Sequence, residues 1–285
     1  MAWIGRARIP LILDSAFVAR AIPTGSARHW SYAFAAPPLR APLLGIFALL
    51  AEWQALLDPA TDSGVAQLKL AWWHDEMLRL VEGAAVHPIS LYLASQPAAA
   101  AAHFKMLAAA VQAAMLEISG VPLELGAQLG PHSGALIAGP LRVASLIADA
   151  QTDAAALEQS TQALAVAQYL SRALRDYRRE AKSGRIPFAV DELLLAGVEN
   201  TDLLAHQPAP HLQNYLENLR RRAGDHYKYV ARDTPRAARP LLRHLLVLAA
   251  LGHKHLGTPG TGGHSGFAAL KDMLLAWTTA RRAVS

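Results

Sequence analysis

Apolar residues recur at three- and four-residue steps along most of the chain, which is the spacing of amphipathic helices. The alternating pattern of strands is almost absent. The helical pattern predicts helices over residues 38–57, 64–82, 98–119, 133–149, 154–182, 210–232, 236–256 and 265–282. Proline and glycine cluster between them, in "DPATDSG" at 58–64, "SGVPLELGAQLGPHSG" at 119–134 and "GTPGTGGHSG" at 257–266. We therefore predict an all-α fold.

None of these breaks is long enough, or different enough in composition, to be a domain linker, and no repeat of fixed period occurs. The chain has 285 residues, 53% of them hydrophobic, which is enough for a large core. We predict a single helical domain over residues 1–285. The glycine-rich stretch at 257–266 is not a phosphate loop, because no strand precedes it and no Lys-Ser/Thr pair ends it.

The composition excludes several classes of protein. The absence of cysteine rules out disulfides, thiolate catalysis and thiolate metal sites. With no disulfide and no signal-peptide pattern, we predict a cytoplasmic protein. No run of about 20 strongly apolar residues predicts a membrane span. The net charge of +5 permits an anionic partner. The basic run at 219–244 predicts either a solvated face or a contact surface for lipid or an acidic protein, and it lacks the pattern of a nucleic-acid site.

The segment "LKLAWWHDEMLRL" at 68–80 places two tryptophans beside a run of charges. Trp73 shares one helical face with leucines and a methionine, which predicts that it packs in the core. Trp72 points about 100° away and is predicted to face a cavity or a neighbouring helix. Asp75 and Arg79 are four residues apart, in the order that favours an ion pair.

A pair of carboxylates near the end of the helix at 154–182 is a candidate for chemistry. Asp176 and Glu180 are four residues apart and project from one helical face. Two such carboxylates can hold Mg²⁺, which can bridge to substrate phosphates. Acid pairs at this spacing are also common on solvated faces, so both interpretations stay open on the spacing alone.

Three segments resemble the squalene/phytoene synthase family. "LRDYRREAKSGRIPFAVDELLLAGV" at 174–198 is similar to its second aspartate-rich segment with the turn and helix that follow. "LKLAWWHDEMLRLVEGAAVHP" at 68–88 resembles its tryptophan-bearing helix, and "HWSYAFAAPPLRAPLLGIFALLAEW" at 29–53 resembles its first helices. The similar segments extend from about residue 29 to 198, so residues 1–27 are predicted to be an N-terminal extension.

The resemblance implies an isoprenoid-synthase-type helical bundle with a central cavity, in which two prenyl diphosphates are joined head to head. In that reaction Mg²⁺ ions held by two facing acidic motifs neutralise the leaving diphosphate. Carried over to this chain, the resemblance makes Asp176 and Glu180 the candidate catalytic and metal-binding residues. It makes Arg175, Arg185, Gln168 and Tyr32 the candidate substrate-binding residues.

The first acidic motif is altered. In "AEWQALLDPATDSG" at 51–64, Leu57 and Thr61 stand where the resemblance would place aspartates. Asp58 and Asp62 keep the spacing one residue out of phase, with Pro59 between them. These two residues are predicted either to cap helices, with Pro59 at a first helical position, or to act as displaced metal ligands.

The second motif is altered as well. Arg172 replaces a polar amide one turn before Asp176 and is expected to reach its carboxylate. Arg175, Arg178 and Arg179 surround the same turn, and guanidinium groups would compete with Mg²⁺. Pro187 stands in the place of a tyrosine.

These departures resemble a non-catalytic branch of the family that includes mitochondrial complex I assembly factors, and "AQYLSRALR" at 167–175 resembles that branch too. The leading hypothesis is a non-catalytic isoprenoid-binding or assembly factor, to which no cofactor is assigned. The alternatives are an active Mg²⁺-dependent prenyltransferase and a scaffold whose arginine-rich surface contacts a protein or the inner face of a membrane. The expected ligand is a prenyl diphosphate or another isoprenoid.

Overall fold

A computed structural model of the chain describes residues 12–148, 153–256 and 266–285, and no strand occurs within these ranges. The helices are α1 Ser15–Ala21, α2 Ala27–Ala33, α3 Pro37–Leu57, α4 Ser63–Glu82, α5 Pro88–Ala94, α6 Ala101–Ile118, α7 Leu129–Ser133, α8 Gly139–Ala148, α9 Ala154–Lys182, α10 Val190–Leu195, α11 Asn200–Leu204, α12 Pro210–Asp233, α13 Arg239–Lys254 and α14 Gly266–Arg282. A 3-10 turn at Gly126–Gln128 precedes α7, and a π turn at Gly134–Ala138 joins α7 to α8. The predicted all-α class is confirmed.

The long predicted helices agree with α3, α4, α6, α9, α12, α13 and α14 to within about three residues. The helix predicted over 133–149 is present, but it begins four residues earlier, at Leu129, and contains a π-helical segment at Gly134–Ala138 that divides it into α7 and α8. Five short helices (α1, α2, α5, α10 and α11) were not predicted, since five to seven residues are too few to show a helical period. Residues 257–265 of the glycine-rich stretch lie outside the described ranges.

Local sequence signals set the ends of the two helices that carry the candidate site. The Asp62 side chain accepts a hydrogen bond from the Val65 amide at 2.9 Å and so caps α4, as one of the two predictions for this residue required. Asp153 caps α9 in the same way, through the Ala156 amide. Gly83 ends α4 with a φ of 77°, a conformation that glycine adopts without strain.

The core is built around α3, from which a series of large side chains is fully buried. They are Leu39, Leu43, Ile46, Phe47, Leu49 and Trp53. Helix α3 packs on α8, α1 and α5, while α4 packs on α6 and α9 packs on α12. Helix α8 contacts both α3 and α9, so it joins the two halves of the bundle. Helix α3 is also long and apolar enough to cross a membrane, but most of it is buried inside the protein, as expected of a core helix.

The tryptophan pair divides as its spacing predicts. Trp73 is 6% exposed and packs edge-on against Trp53, with ring centroids 6.2 Å apart. Trp72 is 43% exposed and contacts the ring of His87, the N-cap residue of α5, as the prediction of a neighbouring helix allowed. It does not line the cavity that lies between α6 and α9.

Among the charged residues beside the tryptophans, Glu76 has a structural role. Its carboxylate is fully buried and accepts hydrogen bonds from the His87 amide at 2.8 Å and the Val86 amide at 3.0 Å. Arg79 donates a third hydrogen bond at 2.9 Å, so the expected pair with Asp75 is wrong. Burial alone would raise the pKa of Glu76, but these hydrogen bonds lower it below its usual value. Glu76 therefore holds the α4–α5 loop against the helix.

We expect Trp73→Ala to lower the free energy of unfolding by about 3–5 kcal/mol, as deletions of buried aromatic side chains do. Trp72→Ala is the matched control, and we expect it to cost about 1 kcal/mol because that ring is half exposed. Urea denaturation of both variants measures the difference. Equal stability losses would contradict the assignment of Trp73 to the core.

His244 on α13 is a second buried polar residue of the core. Its ring is fully buried, and both ring nitrogens lack a hydrogen-bond partner, apart from a backbone contact with Leu241 that falls outside hydrogen-bonding geometry. Burial lowers the pKa of His244 from 6.5 to about 3, because the charged form cannot be solvated. The unfolded chain therefore binds a proton at this residue between pH 6.5 and pH 3, whereas the folded protein does not.

Stability should consequently fall as the pH drops below 6.5, at about 1.4 kcal/mol per pH unit. Between pH 7 and pH 5 we expect His244 to account for about 2 kcal/mol of lost stability. His244→Leu should remove that part of the pH dependence, while His206→Leu, at an exposed position, should not. Urea denaturation at the two pH values checks this, and an unchanged pH dependence in His244→Leu would refute it.

Candidate functional site

A cavity of about 250 Å³ lies between the end of α6, the last half of α9 and two loops, at 119–128 and 183–189. Its lining residues are Leu116, Glu117, Gly120, Val121, Pro122, Leu123, Glu124, Gln128, His132, Tyr169, Arg172, Glu180, Arg185, Ile186 and Pro187. Apolar side chains form most of the loop walls. The charged groups are Glu117 of α6, Arg172 and Glu180 of α9, Glu124 of the first loop and Arg185 of the second. The cavity therefore combines apolar walls with one polar side.

Backbone hydrogen bonds hold the two loops together. The Val190 amide donates to the Leu123 carbonyl at 2.8 Å, and the Asp191 amide donates to the Glu124 carbonyl at 3.1 Å. The Asp191 side chain in turn accepts a hydrogen bond from the Gly126 amide at 2.8 Å. The cavity wall is thus a paired structure rather than two independent loops.

The polar side of the cavity is dominated by the Glu117–Arg172 ion pair, which joins α6 to α9. The Glu117 Oε1 to Arg172 Nη2 distance is 2.6 Å, and His132 Nε2 lies 3.1 Å from the same oxygen. Burial would raise the pKa of Glu117, but the charge of Arg172 and the hydrogen bonds from both partners lower it to about 2. The expectation that Arg172 pairs with Asp176 is wrong, because α6 supplies a nearer carboxylate.

Tyr169 lies one turn before Arg172 and completes this cluster. Its ring is 4% exposed, meets His132 edge-on and lies 5.1 Å from the Arg172 guanidinium carbon. Burial and then the charge of Glu117 raise its pKa above its usual value, so the phenol stays neutral. The cluster therefore contains one ion pair, between Glu117 and Arg172, and a neutral phenol beside it.

Glu180 makes the second ion pair of the cavity. Its Oε2 lies 2.7 Å from Arg185 Nε, although the N–H is not directed at the oxygen, so the contact is an ion pair rather than a hydrogen bond. Arg185 also donates from Nη2 to the Leu57 carbonyl at 3.0 Å, which ties the turn after α9 to the end of α3. Burial raises the pKa of Glu180 by more than the arginines lower it.

Asp176 and Asp58 lie on either side of one arginine. Arg179 Nη2 is 3.4 Å from Asp176 Oδ1, and Arg179 Nη1 is 3.6 Å from Asp58 Oδ2. Arg175 pairs with Asp176 as well, at 2.8 Å. The fold thus brings together carboxylates from both altered motifs, with a guanidinium between them.

The other residues of the first motif serve the turn between α3 and α4. The Asp58 side chain accepts a hydrogen bond from the Ala60 amide, just after the end of α3, so the prediction that it starts a helix at Pro59 is wrong. Leu57 is buried, and the Thr61 hydroxyl donates to the Ala55 carbonyl. Asp58 and Asp62 carry the only carboxylates of this turn, and neither residue lines the cavity.

These residues fit a magnesium cluster poorly. Mg²⁺ requires oxygen ligands in a near-octahedral arrangement. Asp176, Glu180 and Asp58 each contact an arginine, and Asp62 caps α4. Over the described ranges, no group of three or more His, Asp or Glu side chains is arranged to hold a metal ion.

The four predicted substrate-binding residues are placed differently. Arg185 lines the cavity, but Arg175, Gln168 and Tyr32 are not among its lining residues. Gln168 and Tyr32 are half-buried, on α9 and α2. Contact of these four residues with a ligand stays a prediction.

The sequence analysis missed Glu117, His132 and Tyr169. One signal was available for the first of these, since Glu117 is the only acidic residue of the apolar helix α6. A lone carboxylate at the end of an apolar helix needs a partner when it is buried. The identity of that partner depends on how α6 packs relative to α9.

The chain is similar to a protein family and to two solved structures. A family model described as squalene/phytoene synthase matches residues 23–258. A crystal structure of a dehydrosqualene synthase in complex with ligand is similar with a TM-score of 0.72 at 14% identity, over 93% of this chain and 96% of that chain. Squalene synthase HpnC from Alicyclobacillus acidocaldarius gives a TM-score of 0.63 at 15% identity, over 95% and 92%. No curated protein sequence matches the chain.

The Glu117–Arg172 pair gives a stability prediction. We expect Glu117→Gln to cost about 3–5 kcal/mol, because it leaves Arg172 buried without its counter-charge. The matched control is Glu217→Gln, which breaks the exposed pair with Arg220 and should cost about 1 kcal/mol or less. Urea denaturation measures both variants.

The double variant Glu117→Gln/Arg172→Met separates pairing from packing. Because both charges are removed together, it should be more stable than Glu117→Gln alone. The single variant Arg172→Met completes the comparison. If the stability lost by the double variant equals the sum of the losses in Glu117→Gln and Arg172→Met, the two residues are not coupled.

Proposed function

Because the chain belongs to the squalene/phytoene synthase family, we propose that it keeps the isoprenoid-synthase-type fold while serving as a non-catalytic isoprenoid-binding or assembly factor. The all-α fold of this type, predicted from the sequence, agrees with the similar solved structures. The observation that carries the proposal is Arg179, which lies between Asp58 and Asp176.

The position of Arg179 matters because of what the family's reaction requires. A prenyl diphosphate ionises only when the charge of its leaving group is neutralised, and acidic motifs supply that neutralisation by holding metal ions. Here the chain's own guanidinium groups neutralise the carboxylates. A metal ion would have to displace Arg179 from Asp58 and Asp176, and Arg185 from Glu180.

The cavity itself supports binding of an apolar chain. Leu123, Ile186 and Pro187 contribute apolar wall, and a volume of about 250 Å³ is close to the lower end of the range usual for small-molecule sites. The cavity arginines, Arg172 and Arg185, are both paired with carboxylates. An isoprenoid with an uncharged or weakly polar end therefore suits the cavity better than a diphosphate.

Two alternatives have less support. An active prenyltransferase would need the paired carboxylates to be released. A scaffold that uses the basic run at 219–244 would need free positive charge, but Arg220, Arg222 and Lys228 pair with Glu217, Glu192 and Asp225. The part of that run on α12 is therefore largely neutralised. The cytoplasmic location expected from the sequence stays a prediction.

A product assay tests the proposal. We expect no pyrophosphate release and no squalene or phytoene when the protein is given farnesyl or geranylgeranyl diphosphate, Mg²⁺ and a reductant, because each 1.4 kcal/mol of lost charge stabilisation costs about tenfold in rate. Native mass spectrometry should detect a bound prenyl alcohol in the parent protein. The cavity-filling Ile186→Trp variant should lose it, and the exposed Leu195→Trp variant should keep it.

Millimolar Mg²⁺ serves as the control for the metal site. It should leave the melting temperature of the parent unchanged, since a ligand stabilises only when its concentration exceeds its dissociation constant. Arg179→Gln frees Asp58 and leaves Asp176 with Arg175 alone, so it should gain a Mg²⁺-dependent rise, whereas Arg178→Gln, whose arginine contacts Tyr177, should not. Product formation stoichiometric with pyrophosphate would overturn the proposal.

A further inference from the structure

A second, open groove of about 510 Å³ lies on the outer surface, away from the cavity. It forms where the end of α2, the start of α3, α13 and the end of α14 meet. Its lining residues are Ala33, Phe34, Arg40, Arg243, Trp277, Ala280, Arg281, Val284 and Ser285. Three of the nine are arginines and none is acidic, so the groove is cationic.

The three groove arginines have no ion pair with any acidic side chain of the described residues. Arg243 donates to the carbonyls of Phe34 at 2.6 Å and Ala35 at 3.0 Å, which leaves its charge uncompensated. Burial and the nearby charge of Arg40 both lower the pKa of Arg243, so these two cations lie close enough to repel each other.

The sequence around the groove explains why no counter-charge is available. Residues 15–51 contain no aspartate or glutamate. The only acidic residue after Asp233 is Asp272, which is buried and pairs with Lys254 at 2.7 Å. The basic residues of the same stretch are Arg236, Arg239, Arg243, Lys254, Lys271, Arg281 and Arg282. This part of the chain therefore carries seven arginines and lysines against one acidic residue.

An apolar stripe on α14 continues from the groove. Leu270, Leu274 and Trp277 are 47%, 47% and 44% exposed, and Val284 just beyond the helix is 56% exposed. Their spacing of three, four and seven residues places them, with Arg281, on one helical face. The opposite face of α14, with Ala276 and Ala280, packs against α13.

Trp277 lies at the boundary between the apolar stripe and the arginines. The Arg281 guanidinium carbon is 5.3 Å from the Trp277 ring centroid. An apolar helical face with tryptophan and adjacent arginines is the composition of helices that lie in the membrane interface. A soluble phosphate compound would use the arginines but not the exposed leucines.

We propose that the outward face of α14 and the adjoining arginine groove form a docking surface for a membrane that contains anionic phospholipids. Leu270, Leu274 and Trp277 insert at the level of the headgroups, and Arg40, Arg243 and Arg281 contact lipid phosphates. This surface does not include the cavity, so the proposal stands independently of what the cavity binds.

Flotation with phosphatidylcholine vesicles, with and without 30 mol% phosphatidylglycerol, tests the proposal on the full chain. We expect binding only to the anionic vesicles, and weaker binding as salt is raised, since charges at an anionic surface are screened within a Debye length. Arg281→Glu changes the charge by two and should weaken partitioning about 30-fold. Trp277→Ser should also weaken it.

The matched control is Arg221→Glu, which makes the same charge change at an exposed position on α12 and should leave vesicle binding within about threefold of the parent. Equal losses in Arg281→Glu and Arg221→Glu would overturn the proposal in favour of a general charge effect. Absence of binding to anionic vesicles would also overturn it. If the protein binds no vesicles but inorganic phosphate raises its melting temperature, the groove is a site for soluble phosphate, and the proposal is likewise overturned.

Discussion

The neutralisation of buried carboxylates by arginines is the constraint on which the arrangement of this protein depends. Arg172 on α9 pairs with Glu117 of α6, and Arg185, in the turn after α9, pairs with Glu180 and donates to the carbonyl at the end of α3. A carboxylate taken out of water without a partner costs several kcal/mol, so these contacts fix how α6, α9 and the end of α3 meet.

The same pairing limits what the cavity can do. Each cavity arginine is already satisfied by Glu117 or Glu180, so the site offers no unpaired cation for a diphosphate. The apolar wall depends on none of these charges and is retained. The fold of the family can in this way keep a cavity for an isoprenoid tail, while the charged residues that would promote ionisation of a diphosphate instead form ion pairs that stabilise the fold.

The distribution of charge over the protein follows a simple division. The cavity carboxylates Glu117 and Glu180 are paired with arginines, and the acidic side chains of α12 each have a basic partner. The face formed by α2, α13 and α14 has few acidic residues to match its basic ones. Exposed arginines without counter-charges create a positive electrostatic potential at the surface, which attracts anionic partners. The two faces are therefore suited to different partners: an apolar ligand inside and an anionic surface outside.

The sequence by itself determined the helices, because a period of 3.6 residues is a local property that α3, α4, α9 and α12 each display over five or more turns. It also determined that Trp73 is buried and that arginines surround Asp176, since both follow from spacing along one helix. The sequence did not predict the short helices or the π-helical segment between α7 and α8, because they extend over too few residues to show a period.

The tertiary structure alone decided which arginine meets which carboxylate. Arg172 could reach Asp176 one turn away, yet it pairs with Glu117, which is 55 residues distant in sequence. Arg179 joins Asp176 to Asp58, and the groove unites α2 with α14. Such contacts depend on the angles and distances at which helices pack, and these are set by many side chains at once rather than by any local pattern.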